Sequence, residues 1–276
     1  MTATNIELET TSDGILAARI GATTYAMIPC PDGYFLAYTG SSKPVADLER
    51  GDFYGHSDRL PDEAAFRATL AELARDQEQV NALGRRRIDT SNYTPWGPSQ
   101  GATWFADGII CHSTASHGGF ELAAYRNAAI SIAMRSASGF YEEDCEWAIV
   151  AVTFPSCFTD REQRLADQTM RDWHPDVWEE INGRQLSPDE SRARAEMAFN
   201  KAHANDWIVC SAIILSRHPG MAECIARRPC DPAVECRYLV PTAEYNSGRF
   251  GFVIDPERHQ SYDGPSDFIG WSRRAS

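Results

Sequence analysis

Hydrophobic and polar positions along the chain change period several times, and each change predicts an element. Residues 5 to 39 read as strands. TTYAMIP and GYFLAYTG flank the turn signal Pro31-Asp32-Gly33, which predicts a hairpin. The period then lengthens. Phe66, Leu70, Leu73, Val80 and Leu83 recur at helical spacing, predicting a helix over 61–83 with Pro61 in its first turn and Gly84 closing it. The basic run Arg85-Arg86-Arg87 reads as the end of that helix, where cations suit the dipole. Residues 89–101, DTSNYTPWGPSQG, are dense in turn formers and mark a boundary between an N-terminal β-rich unit with a long helix (1–88) and a main α+β domain (89–276).

In the second part TWFA and IICH bracket Asp107-Gly108, a tight-hairpin signal. Residues 121–135 and 141–154 read as helices. SPDE at 187–190 reads as a helix start running to about Ala204, and Pro175 as the start of a short helix with Trp173 and Trp178 as packing anchors. WIVCSAIILS (207–216), RYLVP and RFGFVID read as further strands. Strands and helices mix without regular alternation, so the expected class is α+β, with a mainly antiparallel sheet and several packed helices.

Two stretches carry candidate chemistry. In HSTASHGGF (112–120) strand alternation sets Cys111 and His112 on opposite faces and leaves His117 beyond the strand, free to approach either face. Gly118-Gly119 permit a turn whose exposed N–H groups would cradle an anion, with His117 beside it as a general acid or base. Ser113, Thr114, Ser116, Gly118, Gly119 and Trp96 are the candidate ligand-binding residues, and Cys111 is a candidate nucleophile. YEEDCEWAIV (141–150) places four carboxylates in five residues. Glu142, Glu143 or Asp144 could orient His117, and Glu142 with Glu146 could join a histidine in holding a metal. The competing reading is structural. Tyr141, Cys145, Ala148, Ile149 and Val152 follow a buried helical face, so the acids would occupy a first turn capped by Ser138 or Gly139, where the dipole favours them.

Composition narrows the classes. The chain has 276 residues, 43% hydrophobic and 24% charged, enough for one large domain or two small ones. A net charge of −13 disfavours direct binding to nucleic acid. No apolar run is long enough for a membrane span, and MTATNIELET lacks a secretory pattern, so the expected compartment is the cytoplasm. Eight cysteines without a CxxC pair read as free thiols. His218, Cys224, Cys230 and Cys236 are spaced too widely for a zinc knuckle, and no GxSxG, HExxH, GxxxxGK[ST] or GxGxxG pattern occurs.

TPWGPSQ (94–100), GIICHSTASHGGFEL (108–122) and YEEDCEWAIVAVTFP (141–155), with FGFVIDPERH (250–259), together resemble an uncharacterised bacterial family carried on phages, plasmids and integrative elements, a domain of unknown function. The resemblance implies an accessory setting of the anti-defence kind and transfers no catalytic residue. The expectations are therefore three. A mobile-element accessory protein would bind an anionic ligand or host partner through residues 113–120. A hydrolase or group-transfer enzyme would use His117 with a carboxylate from 142–146. A structural or assembly protein would use neither. Cofactor and metal content are left open by the sequence.

Overall fold

The computed structural model describes residues 6–215 and 217–268. The chain packs as two compact units, Met1–Thr169 and Met170–Ser276, so the division falls within a helix, α4 (Asp160–Trp173). Among the described residues no helix is long and apolar enough to cross a membrane.

The first unit opens with a five-stranded antiparallel sheet in chain order: β1 (Glu9–Thr10), β2 (Leu16–Ile20), β3 (Thr23–Cys30), β4 (Gly33–Thr39) and β5 (Gly55–Leu60). The expected hairpin is there, with Cys30 opposite Gly33 across Pro31-Asp32. Period-two alternation gives this sheet two buried faces. Ala17, Ile28 and Ala37 pack with Val45, Leu48 and Phe53 on one side. Ala18, Met27 and Leu36 pack with Phe66, Leu70 and Ala74 of helix α1 (Glu63–Ala82) on the other. Pro61, expected in the first turn, lies before the helix, and Asp62 caps α1: its side chain accepts from the Ala65 N–H at 2.8 Å. The basic run does not end the helix. Arg86–Ile88 forms the edge strand β6, and Arg85 turns inward.

Two-residue strands β7 (Tyr93–Thr94) and β8 (Gly97–Pro98) make a small hairpin within the turn-rich segment. The second sheet is also antiparallel, in the order β12-β11-β10-β9-β6, from β9 (Gly101–Ala106), β10 (Ile109–Ser113), β11 (Gly118–Leu122) and β12 (Phe140–Glu142). The Asp107-Gly108 turn joins β9 to β10 as expected, and Gly108 has φ +72°, which suits glycine. Two helix expectations fail here. In 121–135 there is one helical turn, α2 (Ala124–Asn127), because Gly118–Leu122 pairs as strand β11. In 141–154 the helix α3 spans only Trp147–Thr153, because Phe140–Glu142 pairs with β11. The acids therefore lie in the strand end and turn before α3, not in a helical first turn, and neither Ser138 nor Gly139 caps it.

The second unit contains α5 (Pro175–Asn182), α6 (Arg192–Ala202) and a sheet of β13 (Ile208–Ile214), β14 (Met221–Arg228), β15 (Asp231–Pro241) and β16 (Gln260–Ser261). Pro175 starts α5 as expected; Trp178 is buried but Trp173 is exposed. SPDE is a turn closed by Glu190 onto Ser187, and the true cap of α6 is Ser191, whose side chain accepts from Arg194 N–H. RFGFVID makes only a single bridge, Ile208 to Val253. The architecture is α+β with antiparallel sheets.

Candidate functional site

The pairing register of the second sheet decides which side chains meet. His112, Gly119 and Glu142 stand opposite one another on successive strands, and so do Cys111, Phe120 and Tyr141. Opposed residues share a face, so His112 and Cys111 point to opposite sides, as strand alternation requires. Phe120 meets Phe105 edge-on and Phe158 at a tilt, with centroid distances of 5.0 and 5.7 Å, on the Cys111 side. Burial, and secondarily the charge of Glu143, push the Cys111 thiol up to about 11. That leaves little thiolate at neutral pH and argues against Cys111 as a nucleophile.

The turn from Thr114 to His117 is fastened by its own hydrogen bonds. Thr114 N–H donates to His117 O at 2.8 Å, and His117 N–H donates to Thr114 Oγ1 at 3.3 Å. Ser113, the last residue of β10, and Ser116, within the turn, are exposed. Gly118 and Gly119, expected in a turn with free N–H groups, are instead buried, paired residues of β11. Their small size has a steric cause. A Cβ on Gly119 would fall 2.2 Å from Tyr141 O and 2.4 Å from Trp96 Cη2, so the Trp96 ring lies directly against the strand. A Cβ on Gly118 would fall 2.5 Å from Glu143 Oε2. Trp96 also meets Phe140 edge-on, with centroids 6.0 Å apart.

Beyond the end of β12 the acidic stretch folds back on His117. His117 Nδ1 lies 3.8 Å from Glu142 Oε1. His117, Glu142 and Glu143 each offer one ligand atom, all within 4.8 Å of one another, and this is the grouping of that kind among the described residues. Asp144 is not part of it: its N–H donates to Glu142 Oε2 at 2.8 Å, and Glu142 N–H donates to Glu146 Oε2 at 3.0 Å. These backbone bonds hold the Glu142 and Glu146 carboxylates in place. Among the described residues no lysine or arginine pairs with Glu142, Glu143, Asp144 or Glu146. The widely spaced His218, Cys224, Cys230 and Cys236 form no such grouping.

A second constellation on this sheet was not expected from the sequence. His112, whose side chain is fully buried, has Nδ1 3.0 Å from Ser99 Oγ and Nε2 2.9 Å from Glu121 Oε2. Asn92 Nδ2 donates to the same Glu121 oxygen at 3.2 Å. The available signal was the spacing of Gly119 and Glu121, which puts Glu121 on the face of His112; Ser99 arrives through a loop that no periodicity describes. Elsewhere in the unit, a cleft of about 430 Å³ between α1 and the first sheet is lined by Glu7, Arg19 and Gln77 and holds none of these residues.

Every residue of both groups falls within one stretch of recognisable sequence. No curated protein and no solved structure matches the chain. Residues 89–204, somewhat under half of the chain, match the family model described as "Domain of unknown function (DUF7007)", an uncharacterised domain that takes in Trp96, Ser99, His112, His117, Glu121, Glu142 and Glu143.

Proposed function

We propose that the domain is a hydrolase or group-transfer enzyme whose His117, Glu142 and Glu143 hold a divalent cation. The observation that carries this is the convergence of three ligand atoms within 4.8 Å, from a turn and a strand end. At 3.8 Å the His117–Glu142 separation is too long for a direct hydrogen bond, and a bridging cation accounts for it better than an orienting contact. One imidazole and two carboxylates suit Mn²⁺ or Zn²⁺ and leave open positions for water and substrate. A cation there would lower the pKa of bound water and polarise a substrate oxygen.

Binding of an anionic ligand by residues 113–120 was the other expectation. The carboxylates facing that loop oppose a free anion. A phosphate or carboxylate is better accommodated as a ligand of the cation, which merges the two readings. The setting we propose, an accessory anti-defence activity of a mobile element, rests on the sequence resemblance.

Mn²⁺ titration followed by electron paramagnetic resonance tests the site. Saturable binding of one ion is expected, weakened about tenfold or more by His117→Ala and by Glu142→Gln, as loss of one ligand implies. Equal binding by wild type and both variants would refute the assignment.

A further inference from the structure

The Ser99, His112 and Glu121 contacts fix a proton inventory. A carboxylate only accepts, so His112 Nε2 carries a proton and donates it to Glu121 Oε2 at 2.9 Å. A neutral imidazole then presents a lone pair at Nδ1, and Ser99 Oγ lies 3.0 Å from it. The Ser99 hydroxyl can donate there, or alternatively to Gly101 O at 3.1 Å. Nucleophile, base within hydrogen-bond reach, and a third group orienting the base are the parts of an activated serine. Here the two ring nitrogens are exchanged relative to the serine–histidine–aspartate template. His112 is shielded from water, while Ser99 is half-buried and Glu121 keeps a third of its side chain exposed, so the hydroxyl and the carboxylate, not the imidazole, are the members of the relay that reach the surface.

The geometry points to Ser99 as a nucleophile for acyl or phosphoryl esters, with His112 as general base and Glu121 stabilising its protonated form. In the first step Ser99 Oγ bonds to the ester carbon or phosphorus and its proton passes to His112 Nδ1. The leaving alkoxide departs with that proton as an alcohol, leaving an ester on Ser99. Water then attacks the ester, again losing its proton to His112 Nδ1. That proton returns to Ser99 Oγ as the acid is released, so the sum is ester plus water to acid plus alcohol. The relay shares the hydrolytic class of the proposal above but needs no cation, so EDTA separates the two.

A fluorophosphonate probe tests it on the full chain, because such probes phosphonylate an activated serine with loss of fluoride. Peptide mass spectrometry is expected to find the adduct on Ser99, in the presence of EDTA as well as without it. Ser99→Ala is expected to remove it. Glu121→Gln preserves the hydrogen bond to Nε2–H but not the charge, and is expected to slow labelling about tenfold or more. This readout also excludes a merely structural network, which would leave the labelling rate unmoved. No adduct on Ser99 in natively folded protein, or wild-type labelling by Glu121→Gln, would overturn the proposal. His112 is fully buried and its removal risks unfolding, so the two outer residues carry the test.

Discussion

Gly119 shows how a single residue sets the second sheet's surface. Its missing side chain lets Trp96 lie on the strand between His112 and Glu142, its neighbours in the same cross-strand row. A methyl group there meets the Tyr141 carbonyl, which as part of a paired strand cannot move far. Gly119→Ala is therefore expected to destabilise the fold by about 3 kcal/mol, the upper range for overpacking a filled site. Gly51→Ala is the control, since a Cβ at Gly51 meets nothing within 4 Å. Urea denaturation of both variants checks this, and equal midpoints would refute the close approach. At this scale the sequence was informative in part. The opposite facing of Cys111 and His112, and the freedom of His117, follow from alternation alone. The partners of His112 do not, because a hydrogen bond between residues thirteen apart leaves no periodic trace.

At the scale of elements, legibility followed the range of the forces involved. The hairpins at Pro31-Asp32 and Asp107-Gly108 and helix α1 are specified by their own turns, caps and apolar stripes, and all three form. The stretches 121–135 and 141–154 have helical spacing, yet strands β11 and β12 claim their first residues, because β11 pairs with β10 and β12 pairs with β11 to complete a sheet. Arg85 departs from the helix end for a related reason. Long-range partners take it out of the helix: it lies 4.0 Å over Phe105, donates to Cys157 O at 2.7 Å and pairs with Glu162 at 2.8 Å. Glu162 in turn completes a capping box at the start of α4, accepting from Thr159 N–H while its own N–H donates to Thr159 Oγ1.

Burial raises the Glu162 pKa, but Arg85 and Thr159 outweigh it and hold the carboxyl below its usual range. The sign of the linkage follows. A depressed folded-state pKa contributes stability that is fully present above the unfolded value of about 4.3 and is lost as pH falls through the folded value. Wild type is thus expected to lose more Tm than Glu162→Gln between about pH 5 and pH 3. Arg85→Met, which strands the carboxylate, is expected to cost about 3 kcal/mol at neutral pH. Parallel acid profiles for wild type and Glu162→Gln would remove the linkage.

At the scale of the molecule, net charge and a specific cation site predict different responses to salt. A chain with net charge −13 repels itself, so any added cation relieves repulsion and raises stability somewhat. That diffuse gain depends on ionic strength and is indifferent to one neutral substitution. A cation held by His117, Glu142 and Glu143 adds a term set by its affinity. At a free concentration 100 times Kd it stabilises the folded state by about 2.7 kcal/mol. For a chain of this length each kcal/mol moves Tm by roughly 2–4 °C, so a rise of roughly 5–10 °C is expected. Glu142→Gln removes one ligand and changes the net charge of −13 by a single unit. It should keep the sodium response and lose most of the Mn²⁺ response at the same concentration. Calorimetry of both proteins in matched NaCl and MnCl₂ separates the terms. A Mn²⁺ shift that survives in Glu142→Gln would belong to the acidic surface, and the cluster would then be a solvated turn.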